Sequence, residues 1–214
     1  MPTVLQITSF AATDAYIKMY EAGGSIASVN PALLEWAEKG PKHGCLAVYH
    51  GLRIEDNTTG YFIAVWESLE QLRTAKSTPA YTDVAAAFRS VMVDGKPLTH
   101  RGFSMPGEYP QPSLEAPVTE LVVLLPRDEK EGPKALADMG GVAAELDKPG
   151  TGTYAPCEWG PSVDEPSICA MTCGWESMEV HKETVSKPPF STLIGKVAEI
   201  ADIVYGHSKM VKIE

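Results

Sequence analysis

Residues 65–81 read VWESLEQLRTAKSTPAY, and residues 174–190 read GWESMEVHKETVSKPPF. Both carry Trp-Glu-Ser, then a glutamate three residues after the first (Glu70, Glu179). A proline follows thirteen residues after each tryptophan (Pro79, Pro188), and an aromatic fifteen after (Tyr81, Phe190). The offset is 109 residues throughout, about half of the 214-residue chain. Agreement at this many positions on one offset marks a duplication. A period this long points to two copies of one unit rather than a solenoid, which needs three or more.

The match extends in both directions. Upstream, 45–51 (CLAVYHG) aligns with 154–160 (YAPCEWG). Each is followed by a turn-rich stretch (EDNTTG at 55–60, PSVDEP at 161–166) and an apolar run (61–66, 167–175). Strand, hairpin turn and strand is the expected reading. Downstream, Val84, Phe88 and Val91 match Leu193, Val197 and Ile200, the i, i+4, i+7 spacing of a buried helix face. Each unit opens with a short strand (3–8 and 120–125), followed by a helical stretch (31–38 and 134–146). Each closes with a strand (97–105 and 202–210). The order β-α-β-β-α-β predicts two ferredoxin-like α+β repeats, 1–105 and 118–214. The proline-rich stretch 106–117 (PGEYPQPSLEAP) suits an extended linker. A sheet covered by helices on one face leaves the other face open, so the two copies are expected to pack sheet to sheet. Each half is then expected to hold an apolar pocket.

Composition limits the partners. The formal net charge is -10, and the acid is uneven: residues 1–113 hold 9 basic and 11 acidic residues, residues 114–214 hold 9 and 17. An acidic surface disfavours nucleic acid and anionic membrane as partners. No stretch approaches the roughly 20 apolar residues that span a bilayer. The opening MPTVLQITSF lacks the basic region of a secretory signal and reads as a strand. Cys45, Cys157, Cys169 and Cys173 form no CxxC pair and read as reduced, buried thiols of a cytoplasmic protein. Cys169 and Cys173 share a strand face, which leaves a metal pair open. Nucleotide-binding and serine-hydrolase motifs are absent.

The stretch from Trp175 to His181, followed by Pro188, Pro189 and Phe190, resembles the second-helix signature of antibiotic biosynthesis monooxygenase (ABM) domains. These belong to the dimeric α/β-barrel superfamily. The first copy matches except that Leu72 stands where the second has His181. The resemblance implies a tandem, intramolecular version of the barrel. It implies a small-molecule enzyme, an oxygenase acting on a hydrophobic aromatic or polyketide-like substrate. The superfamily also holds polyketide cyclases, isomerases, haem enzymes and small stress proteins, so these alternatives stay open.

Five histidines bear on the chemistry. His181 lies on the inward stripe of its helix with Met178 and Val185. A histidine there suits general acid–base work near neutral pH, and a core histidine bonded to a carbonyl is the plain alternative. His50 ends the second strand of the first copy, where the second copy has Trp159, and is the other catalytic candidate. His100 and His207 sit in the closing strands, and His100 aligns with Tyr205. His43, within GPKHG, reads as a solvated loop residue. No HxH, HxxxH or HExxH spacing occurs, so no metal is expected from local motifs. Were a metal bound, His50, His100, His181 and His207 are its candidate ligands.

No cofactor is expected, with haem or non-haem iron as the alternatives. In the haem-degrading branch of the resembled family a histidine one turn after the helix aromatic binds iron. Here those positions hold Ala85 and Ile194, which counts against that ligation. Tyr49, Trp159, Trp175, Trp66 and Tyr61 are the candidates for lining a pocket around a flat molecule. Trp66 and Trp175, being equivalent, also suit plain packing. The chain is expected as a monomer with an internal pseudo-dimer, or as a homodimer through exposed edge strands.

Overall fold

The computed structural model describes residues 2–39, 44–107 and 109–213. His43 lies outside the described residues. Two compact units emerge: Met1–Gly102 with Val211–Glu214, and Phe103–Met210.

The first unit begins with β1 (Thr3–Ala11), α1 (Asp14–Glu21) and α2 (Pro31–Lys39), and continues through the hairpin β2 (Cys45–Leu52) and β3 (Thr59–Trp66). Then come α3 (Leu69–Lys76), α4 (Pro79–Ala87) and β4 (Leu98–Met105). The repeated Trp-Glu-Ser marks the junction of strand and helix. Trp66 ends β3, and the Ser68 hydroxyl accepts from the Gln71 backbone N–H at 3.2 Å to cap α3. Thr78 caps α4 in the same way from Tyr81, with Pro79 in the first turn. This break splits the downstream helix in two. Helix α1 is an addition to the expected order: Thr13 caps it, and Tyr16 and Met19, one turn apart, anchor its buried face.

The second unit contains α5 (Gln111–Leu114), β5 (Val118–Pro126), α6 (Gly132–Leu146), β6 (Glu158–Pro161) and β7 (Cys169–Trp175). It closes with α7 (Met178–Val185), α8 (Phe190–Ile200) and β8 (Ala201–Ser208). Ser177 caps α7 from the Val180 N–H at 3.2 Å, the same distance as its counterpart in the first unit. The stretch 106–117, expected as an extended linker, includes helix α5 and belongs to this unit. Ser113, Leu114 and Ala116 are buried there. They lie so close to Gly174 that a Cβ at that glycine would stand 2.7 Å from Ala116 Cβ and 2.9 Å from Ser113 Cα. Gly174 therefore replaces the Val65 of the first copy for lack of room.

The sheet orders are β4-β1-β3-β2-β9 and β6-β7-β5-β8, where β9 (Val211–Lys212) pairs with β2 of the first unit. Leaving β9 aside, both are the 4-1-3-2 order of a ferredoxin-like unit, so the chain is α+β as its repeated pattern predicts. The central strands β1, β3, β5 and β7 are almost wholly buried. Each fully buried Leu, Val or Ile there contributes roughly 1.5–3 kcal/mol relative to exposure. Among the described residues no helix is long and apolar enough to cross a membrane.

Candidate functional site

In the second unit, α6, α7, α8 and the sheet enclose a cavity of about 270 Å³. Its wall is apolar, with Val122, Met139, Met171, Phe190 and Val197 among its residues. Its polar lining is Glu120, His181 and Tyr205, and the first two form a buried cluster with His207, which does not itself line the cavity. Glu120 comes from β5, His181 from the first turns of α7, and His207 from β8, where it is the direct register partner of Glu120. All three are buried.

The Trp175 indole N–H donates to Glu120 Oε2 at 2.9 Å. The other carboxylate oxygen, Oε1, lies 3.6 Å from His181 Nε2 and 3.8 Å from His207 Nε2. The two imidazole rings are 4.4 Å apart, and His181 meets the Trp175 ring edge-on at 4.8 Å. A carboxylate removed from water is costly unless positive charge and hydrogen bonds compensate it. Two imidazoles facing one oxygen supply that compensation once either carries a proton, or once a cation sits between them. Donor atoms of the three residues all lie within 4.8 Å of one another.

The first unit holds an equivalent cavity of about 400 Å³ with different chemistry. Strand register defines the equivalence, because Val4 pairs with Trp66 as Val118 pairs with Trp175. Gln6 then corresponds to Glu120 and Thr8 to Val122. The Trp66 indole N–H donates to Gln6 Oε1 at 3.3 Å, the neutral copy of the Trp175–Glu120 bond. Leu72, only 1% exposed, stands where His181 stands in the second unit.

Of the residues expected from the sequence, His181 and Trp175 line the second cavity, and His207, which does not line it, joins His181 at Glu120. His50 does not join them. It is 2% exposed, its Nδ1 stands 3.1 Å from the Tyr16 hydroxyl, and its ring packs against Tyr16, Tyr20 and Phe62. Burial lowers its imidazole to about 4. The same enclosure pushes the Tyr16 phenol well above the usual range. His100 lies at the mouth of the first cavity. Tyr49 and Tyr61 are buried in the first sheet, away from the described cavities. Trp66 does not line the first cavity and touches two residues that do, Gln6 and Trp36. Trp159 packs on α6, where its indole leaves no room for a Cβ at Gly140. Ala85 and Ile194, where the resemblance would place a haem ligand, line the first and the second cavity respectively as apolar residues.

All four cysteines are free and buried. The Cys157 and Cys173 sulfurs lie 2.7 Å apart, and burial raises the Cys173 thiol far above its usual value.

Sequence reasoning missed Glu120 and Gln6. Their signal was a long polar side chain within a mostly apolar strand in each copy, preceded two residues earlier by the valine that pairs with a Trp-Glu-Ser tryptophan.

No family model matches this sequence, and no curated protein does. Solved structures do. A candidate monooxygenase of Fusobacterium nucleatum subsp. nucleatum superposes with a TM-score of 0.67 at 9% identity, over 98% of this chain and 92% of that one. An anthrone oxidase-like protein gives 0.67 at 10% identity, over 98% and 91%. A candidate monooxygenase of Lactobacillus acidophilus gives 0.61 at 10% identity, over 100% and 95%. The chain shares its fold with these structures. At these identities the likeness concerns architecture, and the fold alone leaves the chemistry to the cavities.

Proposed function

We propose that this ABM-like chain is an oxygenase that binds a flat hydrophobic molecule, aromatic or polyketide-like, in the cavity of its second unit. The observation that carries the reading is Glu120, beside His181 and His207, at the wall of a largely apolar cavity. A substrate with an acidic C–H, enol or phenol would lie against Trp175 and Phe190. His181 Nε2 would take its proton, and Glu120 would stabilise the resulting imidazolium. The electron-rich anion reduces molecular oxygen, so that one oxygen atom enters the substrate and the other leaves as water. The substrate itself supplies the electrons. Apolar walls exclude water and keep the anion reactive. The monooxygenase and anthrone oxidase-like names of structures sharing the fold support this class.

A second reading keeps the cavity and replaces the proton with a metal cation. Two imidazoles and one carboxylate on one side of a cation leave other positions open for substrate and oxygen. Trp175 would fix the carboxylate by its bond to Oε2, leaving Oε1 to face the cation. The ligand atoms of the three residues all lie within 4.8 Å of one another, a spacing that would suit one shared cation.

Oxygen uptake with anthrone as probe separates the two. Uptake above the uncatalysed rate in chelator-treated protein supports proton abstraction by His181. Uptake only after adding Fe(II), Mn(II) or Co(II) supports the metal. Conversion of a polyketide-like probe without oxygen uptake would favour a cyclase or isomerase, and binding without any conversion a ligand-binding protein.

A further inference from the structure

The first unit's cavity has a polar floor that the proposed oxygenase chemistry does not use. Gln6 and Thr8 are buried there at 5% and 9% exposure, beside Tyr81 and His100. Trp66 can only donate, so its bond to Gln6 Oε1 fixes the orientation of the amide. Gln6 Nε2 then donates to the Tyr81 hydroxyl at 3.0 Å and to His100 Nε2 at 3.0 Å. His100 Nε2 must accept, so its proton sits on Nδ1 and goes to Thr8 Oγ1, 2.7 Å away. Every link is neutral, and the direction of donation ends on two hydroxyls.

Tyr81 and Thr8 each receive a hydrogen bond and keep an O–H of their own. Among the described residues the Tyr81 O–H has no acceptor. Burial raises the Tyr81 phenol, which keeps it a donor. Around these hydroxyls stand the flat faces and edges of Trp36, Phe62 and Phe88. No carboxylate lines this cavity, and Arg89 at its rim is exposed. The second unit has Val122 and Phe190 where the first has Thr8 and Tyr81, so its hydroxyl pair is absent and its carboxylate–imidazole cluster takes the polar role.

We infer that the first unit's cavity is a separate, non-catalytic binding site for an uncharged, flat, hydrophobic molecule with a carbonyl oxygen, such as an aryl ketone or quinone, held by Tyr81 and Thr8. An apolar molecule without an acceptor would leave both hydroxyls desolvated and unbonded. An anion would enter a pocket whose inner groups are all neutral. The two cavities thus divide by chemistry: the second suits a molecule that gives up a proton, the first one that accepts hydrogen bonds.

The inference concerns binding alone and stands whether or not the second cavity turns over. Its test is a ligand-observed NMR titration of the whole chain with 1-tetralone, the hydrocarbon tetralin and the anion 1-naphthoate. Tetralone should bind tightest. Tyr81→Phe, which keeps the ring and the fold, should weaken tetralone roughly fivefold to tenfold and leave tetralin unchanged. Thr8→Val should act in the same direction, and His181→Leu should leave tetralone binding as it is. Equal affinity for tetralone and tetralin would overturn the inference. So would tighter binding of naphthoate, or a tetralone site that responds to His181→Leu and ignores Tyr81→Phe. Unchanged oxygen uptake in Tyr81→Phe is expected, and its loss would show that the first cavity is not a separate site.

Discussion

Glu120 Oε1 lies 3.6 Å from His181 Nε2, across the cavity floor from strand to helix. The first unit has the same frame with Gln6 and Leu72 in those places, so evolution has left a built-in control: one half carries the carboxylate–imidazole pair and the other lacks it.

His181→Leu transplants the first unit's residue into the second. Leucine at this site is compatible with the fold, because Leu72 is buried on the equivalent helix face. Oxygen uptake should fall by roughly a hundredfold or more, in line with loss of an acid–base group. Circular dichroism and the urea midpoint should stay near native. Retained turnover would remove His181 from the mechanism.

Glu120→Gln and Glu120→Ala separate charge from structure. Glutamine can still accept from the Trp175 indole, as Gln6 does from Trp66, so its stability should lie within about 1 kcal/mol of native. Alanine leaves a buried N–H without its acceptor and should cost about 1–3 kcal/mol. Both should lose turnover, and both should lose the d–d absorption of added Co(II) if the metal reading holds. Chemical denaturation and visible spectra read the two effects independently.

His50 gives the first unit an acid-sensitive core. Burial lowers its imidazole to about 4, against roughly 6.5 in an unfolded chain. Above pH 6.5 neither state binds the proton, and the stability is fully present. As pH falls through the window from about 6.5 to 4, the unfolded chain takes up a proton that the folded chain refuses, so stability declines. The loss levels off below the folded value, at about 3 kcal/mol. Urea unfolding of the native protein and of His50→Asn between pH 7 and 4 checks this. A slope that survives in the variant would assign it to other groups.

Gly174→Val restores the residue of the first copy, Val65. In the second unit the added carbons would meet Ala116, Tyr154 and the Ser113 backbone. Overpacking of this kind should cost about 1–3 kcal/mol or more, seen as a lowered thermal midpoint. The reverse change, Val65→Gly, should destabilise the first unit instead by emptying a fully buried site. A neutral Gly174→Val would mean that the segment around α5 does not lie against β7.

The duplicated Trp-Glu-Ser segments determined the architecture by themselves. Their two serines cap two helices, their tryptophans close two strands, and the period-2 and period-3.6 patterns around them suffice for β-α-β-β-α-β twice over. The asymmetry of Leu72 and His181 was legible for the same reason, since both lie on one continuous offset. What only tertiary structure decided is which polar groups meet. The two copies are 109 residues apart at Trp66 and Trp175, but 114 apart at Gln6 and Glu120, because the connections between strands differ in length. One offset therefore hides that equivalence. Glu120 reads locally as a charge near a strand end; pairing with His207 across β8 and with the Trp175 indole turns it inward. His50 shows the converse. Its place at a strand end makes it a catalytic candidate in the sequence, and α1, only eight residues long, closes over it with Tyr16 and Tyr20. Side-chain periodicity specifies a face, whereas a site requires register between distant strands, and that is set by the packing of the whole unit.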